Sequence, residues 1–108
     1  MEFDTTLIEN IRKKIEVGHF EFSKHAVDQT ITRRISVQDV RRVIANGTII
    51  EDYPEDKYGP SCLICGLTKQ GRVLHTQCSL DPVWIITAYD PRLYPGEWDP
   101  GFKRRLIK

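Results

Sequence analysis

The chain has 108 residues, 40% of them hydrophobic and 29% charged, with a formal net charge of +1, values typical of one ordinary globular domain rather than of a disordered or fibrous protein. No apolar run approaches the roughly 20 residues of a membrane-spanning helix, and Glu2, Asp4 and Glu9 stand where a signal peptide would carry positive charge. We therefore expect a cytoplasmic protein with no membrane segment.

Three helices are predicted in the N-terminal half of the chain, where apolar residues recur at spacings of three and four. A short strand signal, in which Phe20 and Phe22 alternate with a charged residue, precedes the second helix. The second and third helices follow the N-cap residues Ser23 and Ser36, and Asp39 completes a capping-box pattern with Ser36. The first predicted helix is capped by Asp4, Thr5 or Thr6 and ends near Val17 and Gly18, and the other two cover residues 24–33 and 37–46.

The C-terminal half changes to strand-like sequence, with β-branched and aromatic residues concentrated in four runs. Short turns at residues 69–71 and 80–82 join the last three runs into an antiparallel meander. The segment that follows, residues 90–101, is rich in proline and glycine, which predicts irregular structure docked by Trp98. The four predicted strands are residues 48–53, 61–68, 72–79 and 83–89.

Strand parity divides the side chains of the last two strands between two faces. Pairing Ser79 with Val83 places His75 opposite Thr87 and sets either Cys65 or Gly66 beside His75, and Gly66 there would leave a notch for a ligand group. The face predicted to be apolar carries Leu74, Trp84 and Ile86, and the face predicted to be polar carries His75, Gln77, Thr87 and Tyr89. His75 is therefore either a candidate functional residue or a half-buried histidine with a hydrogen-bond partner.

The cysteines have the spacing of a zinc site when His75 is added to Cys62, Cys65 and Cys78. Residues three apart on a regular strand point to opposite faces, so Cys62 and Cys65 diverge, as do His75 and Cys78. The pair Cys62 and Cys65 also lies in a predicted strand, not at the helix N-terminus that activates redox thiols. We expect reduced, structural cysteines and no metal or other cofactor.

The second predicted helix carries further candidates. His25 lies in its first turn, where the helix dipole favours the neutral imidazole of a general base, although the same position suits a histidine that only packs at a helix end. Arg33 and Arg34 lie at the other end of this helix, and their guanidinium groups match the geometry of phosphate oxygens.

Four segments in order resemble an uncharacterised bacterial domain family related to RelE-like toxins. They are FSKHA from Phe22, EDYPEDKYGPSCLICG from Glu51, GRVLH from Gly71 and IITAYDP from Ile85. The resemblance divides the chain into an extra N-terminal helix, residues 1–18, and a RelE-like α+β domain, residues 19–108.

This resemblance implies the fold of the RelE, BrnT and MqsR toxins. In that fold, N-terminal helices pack on one face of a curved four-stranded antiparallel sheet, and the other face meets RNA. It also implies a neighbouring antitoxin, such as an MqsA-like zinc-finger protein.

The resulting hypothesis is a toxin-type endoribonuclease that needs no metal, because the RNA 2′-hydroxyl supplies the nucleophile and the protein need add only a base, an acid and a cation. The catalytic candidates are His75 or His25, with Tyr89 or Thr87 orienting the reacting groups. The candidates for binding RNA phosphates are Arg72, Arg33, Arg34 and Lys24. Two alternatives stay open: a non-catalytic protein- or nucleic-acid-binding module of the same fold, and a zinc-stabilised structural protein.

Overall fold

The computed structural model describes residues 5–57, 59–80 and 82–106, which form three helices and five strands. The helices are α1 (Thr5–Glu16), α2 (Lys24–Thr32) and α3 (Val37–Asn46), and the strands are β1 (Glu21–Phe22), β2 (Thr48–Tyr53), β3 (Ser61–Leu67), β4 (Val73–Ser79) and β5 (Trp84–Tyr89). No described helix has the length and apolar character needed to cross a membrane. Of the features discussed above, Glu2, Asp4 and the turn residue Asp81 lie outside the described residues.

The sheet is mixed and has five strands in the order β1-β5-β4-β3-β2. The predicted α+β class is confirmed, but the prediction of four antiparallel strands is corrected by β1, which pairs with β5 in parallel. The Glu21 N–H donates to the Val83 carbonyl at 3.1 Å and the Ser23 N–H to the Ile85 carbonyl at 2.9 Å. The short strand signal before α2 therefore marked a real edge strand.

Serine caps fix where α2 and α3 begin. The Ser23 hydroxyl accepts a hydrogen bond from the Ala26 N–H at 3.0 Å and donates to the Ile86 carbonyl of β5 at 2.8 Å. Ser36 and Asp39 form the predicted capping box, with both reciprocal hydrogen bonds at 2.9 Å. The Ser23 contact also anchors the start of α2 to the sheet.

Helices α2 and α3 pack on one face of the sheet, and α1 packs against α3, so that the three helices and the sheet share one hydrophobic core. The core combines α1, α3 and sheet side chains, among them Ile11, Val40, Val43, Ile44, Ile64, Leu74 and Ile85. Arg12 of α1 donates to the Ile44 and Gly47 carbonyls at 2.8 Å each, which satisfies the C-terminal end of α3. Helix α1 is thus part of the same core.

The register between β4 and β5 differs from the prediction by two residues. His75 lies opposite Tyr89, and Gln77 lies opposite Thr87. The ladder shifts register between Gln77 and Cys78, and within the β4–β5 connection the Ser79 hydroxyl donates to the Pro82 carbonyl and accepts from the Trp84 N–H. A sequence pattern of turn residues does not reveal this closure.

A bulge between Gln77 and Cys78 also changes the parity of β5. Ile85 and Ala88 both enter the helix-covered core, three residues apart, whereas Trp84 and Ile86 are only half-buried and lie outside it. The predicted apolar face is therefore correct for Leu74 and wrong for Trp84 and Ile86.

Gly66 does not create a ligand notch beside His75, because it pairs with Leu74 and Cys65 is the partner of His75. A Cβ atom on Gly66 would lie 3.0 Å from the Val43 carbonyl oxygen. The space at Gly66 is thus filled by the close approach of α3.

Candidate functional site

His75 is completely buried beneath the segment that follows β5, residues 90–106, which we call the C-terminal segment. Its Nε2 atom lies 2.6 Å from the Phe102 carbonyl oxygen, and its Nδ1 atom lies 3.0 Å from the Tyr89 hydroxyl. The rings of Tyr89 and Trp98 both contact the imidazole edge to face, with centroids at 5.2 and 4.4 Å. Both ring nitrogens of His75 therefore have partners inside the protein.

These partners fix the tautomer of the neutral His75 ring. A carbonyl oxygen can only accept, so Nε2 carries a proton and donates to Phe102, and Nδ1 of the neutral ring accepts from the Tyr89 hydroxyl. Burial lowers the pKa of His75, despite the opposing effect of the Phe102 carbonyl. Burial likewise raises the pKa of Tyr89. The pair is thus neutral at physiological pH.

Arg105 fastens the C-terminal segment to the outer edge of the sheet. Its guanidinium binds both carboxylate oxygens of Glu51, at 3.0 and 3.1 Å, and also binds Glu97 at 3.2 Å. The same group lies 4.4 Å above the centroid of the Trp98 ring. Burial raises the pKa of Glu51, but the hydrogen bonds from Arg105 and Tyr53 outweigh it, so the net pKa is lowered.

Arg72 ties the segment to the end of α2. Its Nε atom binds the Asp90 carboxylate at 3.2 Å, and its two terminal nitrogens donate to the Arg33 and Arg34 carbonyls at 3.1 Å each. Arg92 binds the same carboxylate at 2.7 Å. Burial would raise the pKa of Asp90, but the hydrogen bonds from Arg92 and Arg72 hold it at about 2. Arg72, a predicted phosphate ligand, thus has all three donor atoms engaged within the protein.

The other predicted phosphate ligands lie at the two ends of α2. Lys24 is exposed in the first turn of the helix, next to His25, which is also exposed. Arg33 is the C-cap and Arg34 follows with a positive φ of 53°, and the carbonyls of both are held by Arg72. Within the described ranges, no contact joins His25 to His75, so the structure does not combine the two candidate histidines in one site.

Thr87 lies apart from the His75 pair. Its hydroxyl donates to the Gln29 side-chain oxygen at 2.8 Å, and the Ala88 N–H donates to that same oxygen at 2.7 Å. Gln29 thereby provides a hydrogen-bond acceptor for a backbone N–H on the edge of β5 that the two-residue strand β1 is too short to cover. Thr87 joins α2 to the sheet and does not orient His75.

The cysteines divide between the two faces as predicted for Cys62 and Cys65. Cys62 and Cys78 are directly opposite each other in the core, whereas Cys65 pairs with His75 on the other face. All three thiols are free, and burial raises the pKa of Cys65. Among the described residues, no group of three histidine, cysteine or carboxylate side chains converges to hold a metal.

A cleft of about 990 Å³ opens beside the buried pair formed by His75 and Tyr89. Its walls are the end of α3, the start of β2, the β3–β4 hairpin and part of the C-terminal segment. Cys65 and Phe102 lie in the wall, and His75 adjoins both, as the cross-strand partner of Cys65 and through its hydrogen bond to the Phe102 carbonyl. The cationic residues that line it are Arg42, Lys69, Arg92 and Lys103.

All charged residues in the described lining of this cleft are cationic. Its described lining contains no aspartate or glutamate. Among the described residues, Arg92 alone of the four cationic side chains forms an ion pair with a carboxylate, that of Asp90. The Asp99 carboxylate accepts from the Lys103 backbone N–H at 3.1 Å and, in the part of the chain that the structure describes, leaves the Lys103 ammonium without an ion pair. The other three raise the potential of a concave surface, which is the physical requirement for concentrating an anionic ligand.

Comparison with known families gives one match. The family described as "Domain of unknown function (DUF4258)" matches residues 22–90, well over half of the chain. The chain belongs to the DUF4258 family. Comparisons with curated proteins and with solved structures gave no significant match.

The DUF4258 match divides the site. It contains His75, Tyr89 and Asp90, together with Arg42 and Lys69 of the cleft. The residues that cover His75, Trp98 and Phe102, and the cleft residues Arg92 and Lys103 lie beyond its last matched position. In this DUF4258 protein the C-terminal segment therefore completes both the buried network and the cleft.

No sequence motif identifies the four cationic residues of the cleft as one site. They come from α3, a hairpin turn and two positions in the C-terminal segment, so no local motif joins them. A weak signal existed in the placement of Lys69 at a β-turn that ends with Gly71, whose φ is 82°. Turns of this kind hold their side chains in solvent.

Proposed function

We propose that this DUF4258 protein binds RNA through the basic cleft. The observation that carries the proposal is the lining itself, with four cationic side chains and no described carboxylate. Each nucleotide of RNA brings one phosphate charge, and lysine and arginine that neutralise phosphates supply most of the non-specific affinity. The proposal corresponds to one of the alternatives that the sequence left open, a non-catalytic module that binds nucleic acid.

Polar groups in the same walls favour RNA over DNA. Asn46 and Thr48 line the cleft and are exposed. Their side chains can donate and accept hydrogen bonds, as the 2′-hydroxyl of a ribose requires. DNA of the same sequence is therefore expected to bind more weakly.

A titration of fluorescent single-stranded RNA at several salt concentrations tests the proposal. Replacing Lys69 and Lys103 by alanine removes two phosphate ligands, so the affinity falls at least about tenfold and the slope of log K against log salt falls by about 1.4. Lys13→Ala, an exposed substitution in α1 outside the cleft, is the control and keeps both values. Equal affinities for the double variant and the wild type, or no RNA binding by either, would contradict the proposal.

A second candidate function is cleavage of the bound RNA, as in a RelE-like toxin. One observation favours it: Cys65 in the cleft wall is the cross-strand partner of His75, and His75 is hydrogen-bonded to the carbonyl of Phe102, which also lines the cleft. Displacement of Phe102 would present the imidazole to the cleft. The 2′-oxygen would then attack the adjacent phosphorus and lose its proton to a base, while the departing 5′-oxygen takes a proton, leaving a 2′,3′-cyclic phosphate.

Cleavage is tested with the same RNA in the presence of EDTA. The toxin hypothesis predicts a 2′,3′-cyclic phosphate product, its loss in His75→Gln, and growth arrest on induced expression that an MqsA-like zinc-finger antitoxin relieves. Binding without product, and growth equal to that of the empty control, would leave the RNA-binding module as the function.

A further inference from the structure

Phe102 is the one aromatic residue in the described lining of the cleft, and it is only half-buried. Its backbone is held from two directions. The Phe102 carbonyl accepts from His75 at 2.6 Å, and the Phe102 N–H donates to the Asp99 carbonyl at 2.9 Å. The residue is fixed in place although the C-terminal segment around it has almost no regular structure.

The conformation that these bonds impose is unusual. Phe102 has a φ of 60°, in the left-handed region that a bulky side chain rarely adopts. A position with this backbone normally carries glycine or asparagine, both of which adopt it with less strain. An aromatic ring kept here by a buried histidine is thus available beside the cations of the cleft, next to Lys103.

We propose that Phe102 is the platform on which an unpaired RNA base stacks, and that His75 is the residue that positions it. This inference rests on the proposed RNA binding and names its substrate class as single-stranded RNA. Stacking on an aromatic side chain requires a base that has left its duplex. The cleft volume of about 990 Å³ lies near the upper end of small-ligand sites, roughly 300–1,000 Å³, which suits one or two nucleotides and not a duplex.

Single-stranded RNA that contains one 2-aminopurine, compared with its duplex, tests the stacking. The wild type is expected to quench the fluorescence of the single strand and to bind it at least about tenfold more tightly than the duplex. Phe102→Asn keeps a residue suited to positive φ and keeps the carbonyl that binds His75, but it removes the ring. This variant is expected to lose the quenching and about tenfold in affinity, whereas Phe102→Trp retains both.

Phe20→Leu is the matched control, because Phe20 is a half-buried aromatic residue outside the cleft. It should leave the quenching unchanged. The positioning role of His75 has its own readout: His75→Gln loses quenching while the salt dependence of binding stays that of the wild type, since the cations remain. A merely structural histidine would change neither the quenching nor the preference for single strands once the folded fraction is equal.

The outcomes separate this inference from the proposed function. If the wild type binds neither single strands nor duplex, RNA binding itself fails. If it binds both equally and Phe102→Asn has wild-type affinity and fluorescence, the cleft binds RNA by charge alone and the stacking inference is overturned.

Discussion

The two faces of the sheet are built on different principles. The helix-covered face is filled by close-packed aliphatic side chains such as Ile64 and Leu74, both fully buried. The face beneath the C-terminal segment is held by specific polar contacts, of which the His75 pair and the Asp90 ion pairs are the centre. The packing of the first face depends on the volume of its side chains. The contacts of the second face depend on which residue stands at each hydrogen-bonding or ion-pairing position.

This difference indicates which face of the sheet can offer contacts to a polar ligand. A face that depends on volume tolerates exchange of apolar residues but offers nothing to a polar ligand. The other face brings fixed dipoles and charges to the edge of an open cleft, where Phe102 and Lys103 come from the same segment that covers His75. The predictions below perturb one face at a time.

The largest effect is expected on the helix-covered face. Leu74→Ala empties a fully buried position and should lower the free energy of unfolding by about 3 kcal/mol, measured by urea denaturation. The RNA affinity of the remaining folded protein should be unchanged, because Leu74 lies outside the cleft. A loss below about 1 kcal/mol would mean that this face is not close-packed.

Removal of Asp90 should release the C-terminal segment. Asp90→Ala leaves Arg72 and Arg92 without their carboxylate, and it should cost about 2 kcal/mol, less than for a fully buried pair because both arginines are partly exposed. Limited proteolysis after residue 90 should accelerate. Asp52→Ala, at an exposed position, is the control, and equal stability of the two variants would show that Asp90 does not anchor the segment.

His75 should make stability depend on pH. Its folded pKa is lowered by burial, so below about pH 6.5 the unfolded chain binds a proton that the folded chain does not. Stability therefore falls as the pH drops below about 6.5, by at most about 1.4 kcal/mol per pH unit, and levels off below the folded pKa. Urea denaturation across this range should show that His75→Gln lacks this component, and an identical slope in both proteins would contradict the assignment.

The smallest predicted effect is an increase in stability. The Thr76 hydroxyl is buried on the helix-covered face and has no hydrogen-bond partner among the described residues. Thr76→Val replaces it with a methyl group of similar size and should raise the free energy of unfolding by about 1 kcal/mol in thermal or urea denaturation. Destabilisation by this change would mean that the hydroxyl has a partner in solution.

Local signals predicted the elements well. The capping box at Ser36 and the apolar spacing after it placed α3, and β-branched residues placed β2 at the observed bounds. These features depend on neighbours within four residues. The α+β class followed from them because the period changes from helical to strand-like after Gly47.

The remaining errors have non-local causes. The register of β5 depends on the bulge beside Gln77 and on the Ser79 side chain closing its loop, and neither leaves a periodic pattern. His75 was identified as notable by strand parity, but its burial depends on the packing of Trp98 and Phe102. The basic cleft assembles from four separated positions, so only the folded chain reveals it.

The proposed binding of RNA in the basic cleft is tested most directly by titrating single-stranded RNA into isotope-labelled protein and following the backbone amide signals by NMR. If RNA binds in the cleft, the largest shifts are expected on cleft residues, with Lys69, Gly71, Phe102 and Lys103 first, and these shifts should saturate together. Shifts concentrated on Lys24 and His25 at the start of α2, or no saturable shifts at all, would contradict binding in the cleft.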